Sequence, residues 1–386
     1  MRNILVTGGS GLVGKYLKKI LPDAIYLSSS DYDLTFECEV DRMFNDHEPD
    51  VIIHLAARVG GIIDNMERPY DYYHDNVVMN SLLLDKARER DVERFIGILS
   101  TCIFPDVVEE YPMKEEDMHL GPPTKTNFSY GYAKRSLAVQ IEACNQQYGT
   151  NYQYLTPCNL YGDHDNFEND KKAHFVTALL KKIHNANIYG EDKVPLFGTG
   201  TPLRQFMHAS DLARVIFECL DKDIYDSFNV AVSDNLSIKE IAEKALVAAK
   251  SEHLKLDFDT SKPDGQFRKD VSNKKMMEIM PYFKFTDLEE GLCKTYDTVS
   301  ESLVMSTITK MNISGKWAEF WTEEGNFDAI SGAWEVSCKQ GDFWAKVSEV
   351  GGLYQDILSN GIKGKKILWS KNGYGNYRIE KVIYGK

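Results

Sequence analysis

The sequence predicts an α/β fold: a doubly wound parallel sheet with a smaller interleaved lobe, followed by a β-rich C-terminal extension. Three observations carry that prediction. Short, continuously apolar runs alternate with helical patterns. A glycine-rich turn joins the first run to the first helix. The 386 residues, 43% of them hydrophobic, suffice for one large core and a smaller one. Continuously apolar strands need cover on both faces, which a parallel sheet between helices provides.

The elements follow in order. Ile4-Leu5-Val6 reads as a buried strand, and Tyr16, Leu17, Ile20 and Leu21 mark a helix behind it. Ile25-Tyr26-Leu27 and Val51-Ile52-Ile53-His54-Leu55 read as the second and third strands. A helical pattern from about Tyr70 to Arg90 leads to a fourth, Phe95 to Leu99. A helix from about Tyr130 to Tyr148 then precedes a strand from Tyr152 to Leu155. Beyond it, helices near 173–187, 209–221 and 237–250 are separated by loops rich in Gly, Pro and Asp, as a substrate lobe interleaved with the last strands would be.

Composition breaks near residue 310. All five tryptophans (Trp317, Trp321, Trp334, Trp344 and Trp369) lie beyond it, and Lys366–Ser370 and Tyr377–Tyr384 alternate like strands. The expected organisation is a main domain over 1–310, its nucleotide-binding core about 1–165 and its lobe mainly 166–310, with an extension over 311–386. The extension reads as a structural or dimer-capping addition, although tryptophan faces also suit stacking on sugar rings.

A formal net charge of −13 argues against a nucleic-acid or anionic-membrane surface. Seven dispersed cysteines without a C-x-x-C pair read as free thiols of a reducing compartment, and the same spacing offers no metal site. No signal-peptide core precedes the first turn and no run of 18 apolar residues occurs, so the expectation is a cytoplasmic protein.

The first strand runs into Thr7-Gly8-Gly9-Ser10-Gly11-Leu12-Val13-Gly14 and a helix. Gly8, Gly11 and Gly14 allow a tight turn and close approach of a pyrophosphate, and the backbone N–H groups at Leu12 and Val13 open the helix toward it. The second strand ends in Ser28-Ser29-Ser30, with Asp31 and Asp33 only further on. A strand end without an acid favours NADP over NAD, though the stretch also lacks a basic partner for the 2′-phosphate.

Tyr130-Gly-Tyr-Ala-Lys134 puts Tyr130 and Lys134 one helical turn apart, about 30 residues after Ser100 at the end of the fourth strand. Bringing a phenol from a pKa of about 10 to about 7 takes about 4 kcal/mol, which a neighbouring ammonium can provide. Cys102 stands two positions after Ser100 and, if the extended geometry continues, enters the same pocket. A thiol there has no part in plain reduction. It suits proton transfer at a carbon next to a ketone; an isolated cysteine, by contrast, reads as apolar filler.

These residues, with Leu99-Ser-Thr-Cys-Ile-Phe-Pro105, Asn159-Leu-Tyr-Gly162, His164-Asp-Asn-Phe167, Ala56-Ala-Arg-Val-Gly-Gly-Ile62, Gly198-Thr-Gly-Thr-Pro-Leu-Arg204 and Ser261-Lys-Pro-Asp-Gly265, resemble the GDP-L-fucose synthases, a branch of the extended short-chain dehydrogenase/reductases with a Rossmann-type core. The resemblance spans about residues 1–305. It implies a GDP-sugar substrate, NADP(H), a homodimer, and 3,5-epimerisation of a GDP-4-keto-6-deoxy sugar followed by reduction at C4. By it, Ser100, Tyr130 and Lys134 are the reductase triad, and Cys102 and His174 the base and acid of the epimerisations. Asn159, Arg204 and Lys262 then face substrate, while Leu34 and Ala56 join the glycine turn around the cofactor. By its surroundings alone, among Phe175, Val176, Leu179 and Leu180, His174 reads as a packed helix histidine. Ser10 and Ser30 stand where the family can carry a basic residue, and nothing after about 310 resembles it. The rival readings are a nucleotide-sugar 4-epimerase or 4,6-dehydratase with tightly held NAD, and a silent NADP-binding sensor.

Overall fold

A computed structural model describes residues 2–165, 174–262 and 264–301 in full, and the backbone of residue 302 and of strands between 303 and 383. The chain divides into two compact units, residues 1–180 with 193–295, and residues 181–192 with 296–386.

Along the chain, β1 (Ile4–Thr7) feeds α1 (Leu12–Ile20), then come β2 (Ile25–Leu27), α2 (Glu37–His47) and β3 (Val51–His54). After β3 follow the short α3 (Ile62–Glu67), the long α4 (Pro69–Glu89), β4 (Arg94–Ile98), α5 (Phe128–Tyr148) and β5 (Gln153–Pro157). Next are β6 (Asn159–Tyr161), α6 (Phe175–Tyr189), β7 (Lys193–Phe197), β8 (Leu203–Arg204), β9 (Phe206–His208), α7 (Ala209–Asp221) and β10 (Phe228–Val230). The rest are β11 (Leu236–Ser237), α8 (Ile238–Ala248), β12 (Lys255–Asp259), α9 (Lys274–Ile279) and α10 (Leu288–Ser302).

Six strands form one parallel sheet in the order β10-β5-β4-β3-β1-β2. Its middle strands bury every residue, with Ile52, Ile53, Phe95, Ile96 and Leu155 wholly enclosed. Two helix groups flank it: α1 packs on α7, and α4 packs on both α2 and α5. Local chemistry sets the helix ends. Ser237 caps α8 by accepting the Glu240 N–H (3.1 Å), while the Glu240 carboxylate takes the Ser237 N–H (2.7 Å). Asp211 is fully buried in α7, its carboxylate satisfied by the N–H (2.8 Å) and hydroxyl (2.7 Å) of Thr286.

The periodicity argument does not give α2, β7 or β12. Helix α2 is mostly polar and buries only Val40, Met43 and Phe44. Strands β7 and β12 pair in parallel, although about 60 residues separate them in sequence.

Beyond α10 the backbone runs through β13 (Leu303–Ser314), β14 (Trp317–Thr322), β15 (Glu335–Lys339), β16 (Asp342–Lys346), β17 (Lys366–Lys371) and β18 (Tyr377–Ile383). They close into an antiparallel barrel in the order β13-β14-β16-β15-β18-β17. The first part of β13 (Leu303–Thr307) pairs with β17 and the rest (from Ile308) with β14, so one long strand closes the ring. Trp334, Phe167 and Tyr384, and the side chains of Trp317, Trp321, Trp344 and Trp369, lie outside the described residues.

Candidate active site

The dinucleotide turn sits at the C-terminal edge of the sheet. Gly8 has φ +69°, and a Cβ there would come within 2.7 Å of the Ala56 backbone nitrogen, so only glycine lets the turn lie against the end of β3. The helix it opens has no side-chain cap at Gly11 and no acid in its first turn. Its N–H groups and positive dipole end are therefore left for an anion, and this donor set fits a pyrophosphate. Leu12, Val13 and Ala56 are half-buried here, and Leu34 is buried nearby in the core.

The acid-free reading of the β2 end is corrected. A tight turn folds Asp31 back, so that its carboxylate accepts the N–H (2.8 Å) and hydroxyl (2.7 Å) of Ser28. Those bonds hold it below the usual carboxylate range. An acid thus stands at the strand end after all, placed there by a turn that strand pattern does not reveal.

Ser100, Tyr130 and Lys134 come together where β4 ends against α5. The extended geometry expected through Cys102 is not found: Thr101–Ile103 forms a single 3-10 turn, which Ser100 caps by accepting the Cys102 N–H (3.3 Å). The turn can press against α5 because residue 131 is glycine; a Cβ there would overlap the Cys102 carbonyl. Serine and cysteine still share a pocket, through a cap rather than through strand alternation.

The expected lowering of Tyr130 by Lys134 is also corrected. The Lys134 ammonium donates to the Ile98 carbonyl (2.8 Å), and burial brings its pKa down to about 8. Burial pushes the Tyr130 phenol above its ordinary value, proximity to Cys102 adds to that, and a hydrogen bond with Ser100 opposes it. Behind Lys134, the fully buried His54 lies between the Thr7 hydroxyl (2.8 Å at Nδ1) and the Asn80 amide oxygen (2.9 Å at Nε2). Burial and the neighbouring ammonium pull its pKa to about 3, so the imidazole is neutral.

Cys102 has partners that pattern reading missed. Its sulfur receives the Lys269 ammonium (2.9 Å) and the Asn127 amide NH₂ (2.9 Å). Burial pushes the thiol up, but Lys269, Ser100 and Arg204 outweigh it, and the thiol is held below its ordinary value. Lys269 lies only seven residues from Lys262, the lysine singled out by resemblance. Lys262 itself is exposed, its ammonium 6.0 Å from the centre of the Phe197 ring.

His174 immediately precedes α6, its imidazole Nδ1 bonded to the buried Asp165 carboxylate (2.8 Å). Asp165 also accepts the Thr177 hydroxyl (2.7 Å), so its charge is oriented from two sides. Desolvation pulls the imidazole pKa down, but Asp165 more than offsets it and raises it. The loop before Asp165 is tied to the nucleotide helix: the Tyr16 hydroxyl donates to Asp163, whose carboxylate also lies 3.3 Å from His208 Nε2. His164 packs its ring against Tyr16 (centroids 4.8 Å apart).

Arg204 curls over the 265–268 segment, donating to the carbonyls of Gln266 (2.6 Å) and Leu203 (2.7 Å). Asn159 lies on β6 and donates to the Gln205 carbonyl (2.9 Å). Chemically, the site offers a proton donor at Tyr130, an acid-base thiol at Cys102 and a carboxylate-held imidazole at His174. Among the described residues no cluster of His, Cys, Asp and Glu could hold a metal ion, and no helix is long and apolar enough to cross a membrane.

Comparison with known proteins bears on this arrangement. The profile of the NAD dependent epimerase/dehydratase family matches residues 4–231. A GDP-L-fucose synthase of Dictyostelium discoideum is 36% identical over 303 residues, covering 75% of this chain and 93% of the relative. The GDP-L-fucose synthase of Escherichia coli is 29% identical over 318 residues, covering 78% and 97%. Among solved structures, a GDP-L-fucose synthetase from Naegleria fowleri bound to NADP superposes with a TM-score of 0.71 at 35% identity, covering 78% of this chain and 93% of that one.

Proposed function

The chain belongs to the NAD dependent epimerase/dehydratase family and, within it, to the GDP-L-fucose synthases, and from that membership we propose that it converts GDP-4-keto-6-deoxy-D-mannose to GDP-L-fucose by 3,5-epimerisation and NADPH-dependent reduction at C4. The single observation that carries this reading is the meeting of two kinds of chemistry at one turn. Ser100 bonds the phenol of a reductase triad, and two residues later Cys102 presents a thiol under a lysine.

A C4 ketone acidifies the protons at C3 and C5, and Cys102 removes them as a thiolate. His174 returns them from the other face. Asp165 keeps its imidazole charged to higher pH than an ordinary histidine, which favours its giving a proton. Each epimerisation takes one proton and gives one back.

NADPH, when bound, supplies the hydride to C4. Tyr130 then gives its phenolic proton to the new alkoxide; burial raises the phenol, so it keeps that proton until the alkoxide forms. Ser100 orients the hydroxyl, and the buried Lys134 contributes positive charge below a pH of about 8. Gly8, Gly11, Gly14 and the α1 N-terminus would hold the pyrophosphate, with Leu34 on the adenine side. In this reading Arg204 binds the substrate diphosphate, Asn159 the sugar, and the exposed Lys262 assists from the rim.

The test is incubation with GDP-4-keto-6-deoxy-D-mannose and NADPH, following cofactor absorbance and the NMR spectrum of the sugar. One NADPH oxidised per L-fuco product is expected. Absence of oxidation at saturating substrate would overturn the proposal.

We also propose a homodimer. Tyr73 on α4 and Tyr132 and Val139 on α5 are exposed on two helices packed side by side, a surface suited to a two-fold four-helix contact. A monomer mass by light scattering at micromolar concentration would remove it.

A further inference from the structure

The sulfur of Cys102 faces two donors. Lys269 brings an ammonium to 2.9 Å and Asn127 an amide N–H to 2.9 Å, and the Ser100 hydroxyl, able to donate as well as accept, bonds it too. Two N–H donors, one of them charged, converging on one sulfur are met better by a thiolate than by a neutral thiol, whose sulfur is a weak acceptor.

The charge balance around Lys269 points the same way. Its neighbours Arg268 and Asp270 neutralise each other through two contacts, Nε–Oδ1 at 2.6 Å and Nη2–Oδ2 at 2.9 Å. No carboxylate pairs with Lys269 among the described residues, so its charge is left for the sulfur. Backbone pairing fixes the segment that delivers it. The Met113 N–H donates to the Asp270 carbonyl (3.0 Å), the Val271 N–H to the Gln205 side chain (2.9 Å), and the Leu203 N–H to the Phe267 carbonyl (2.8 Å). The cation is therefore held in place by a braced strand-like stretch rather than arriving on a free loop.

We infer that Lys269, assisted by Asn127, is a positioning residue that holds Cys102 as a thiolate before substrate arrives, so that the base for carbon deprotonation is made by an ion pair inside the protein. This rests on the proposed role of Cys102 as that base. The other charged or titratable groups that act on the sulfur are Arg204, which favours the anion, and Tyr130, which lies close enough to be raised by it. Ser100 steadies the turn through the Cys102 N–H. Asn127 keeps its own amide oxygen buried without a partner, as a residue placed for its NH₂ group would.

The measurement needs no substrate. Alkylation of Cys102 by iodoacetamide in the full-length protein, followed across pH by mass spectrometry of the Cys102 peptide, reports its thiolate fraction apart from the other cysteines. The wild type should titrate below the ordinary thiol value of about 8.5. Lys269→Met should move the profile upward by about one pH unit or more, cutting alkylation at pH 7 about tenfold, and Lys269→Arg should restore much of it. Thermal unfolding and NADPH binding check that each variant is folded. Superimposable wild-type and Met profiles overturn the inference, even if the Met variant has a raised KM, because Lys269 would then serve the diphosphate only. If no Lys269 variant folds, a wild-type profile at or above 8.5 overturns it just as well. Should the profile shift while deuterium exchange into the sugar stays at the wild-type rate, the ion pair stands and the role of Cys102 as carbon base falls.

Discussion

The two halves of the site are built by different means. The half proposed for hydride transfer, Ser100, Tyr130 and Lys134, comes from one strand end and one helix, and burial dominates its proton affinities: Tyr130 is pushed up, Lys134 down to about 8, His54 down to about 3. The half proposed for epimerisation, Cys102 and His174, is assembled from distant stretches of chain, and charged partners govern it. Lys269 lowers Cys102 and Asp165 raises His174, each against the pull of burial. A group tuned by burial resists single substitutions around it. A group tuned by one ion pair depends on that partner, so the epimerising half is the more easily detuned.

The largest test separates the halves outright. Tyr130→Phe should cut NADPH oxidation by about a thousandfold, within the range expected for losing a general acid, while deuterium exchange at C3 and C5 continues. Cys102→Ser should do the reverse, slowing exchange by orders of magnitude and leaving NADPH binding intact. The readouts are NMR in heavy water and cofactor absorbance. Equal loss of both activities in either variant would show that the halves are not separable.

A smaller effect is expected from the partner of His174. Asp165→Asn should lower the imidazole toward its ordinary value and loosen its orientation, slowing exchange about tenfold to a hundredfold and hydride transfer little. The wild-type ion pair contributes stability that is present below the ordinary histidine value and is lost as pH rises through the raised folded one. Thermal unfolding of Asp165→Asn should therefore match the wild type more closely at high pH than at low pH.

The smallest effect is in the pH profiles. Lys134 loses its charge near pH 8, so reduction should fall severalfold above that point while exchange does not. Lys134 also loses its proton earlier in the folded than in the unfolded chain. Its contribution to stability thus rises between about pH 8 and the unfolded value near 10.4. Coincident alkaline limbs for hydride transfer and exchange would contradict the assignment of Lys134 to one half only.

Some of this was legible in the sequence because the chemistry is local. A continuous apolar run, a glycine at fixed spacing and a Tyr-x-x-x-Lys turn each state their geometry within a few residues. The strands β1 to β5, the turn at Gly8 and the pairing of Tyr130 with Lys134 on α5 follow from periodicity and sterics. The reach of Asp31 back to Ser28 was not legible, because a turn decides it. Nor was the 3-10 turn at Cys102, which depends on Ser100 capping it and on Gly131 making room.

What only the tertiary structure decided are contacts across long stretches of chain. Lys269 meets Cys102 across 167 positions and Tyr16 meets Asp163 across 147, while the β7–β12 pairing brings the 193–197 and 255–259 segments side by side. No pattern specifies such meetings, since charge and hydrogen-bonding capacity carry no address. Of the lysines near the end of the lobe, Lys262 and Lys269 are alike as residue types, and the braced backbone from 267 to 271 determines which one reaches the sulfur. The sequence by itself determined the sheet and its nucleotide turn, because sterics and apolar periodicity act between near neighbours. Folding determined the proton affinities at the site, because electrostatic fields depend on distance in space.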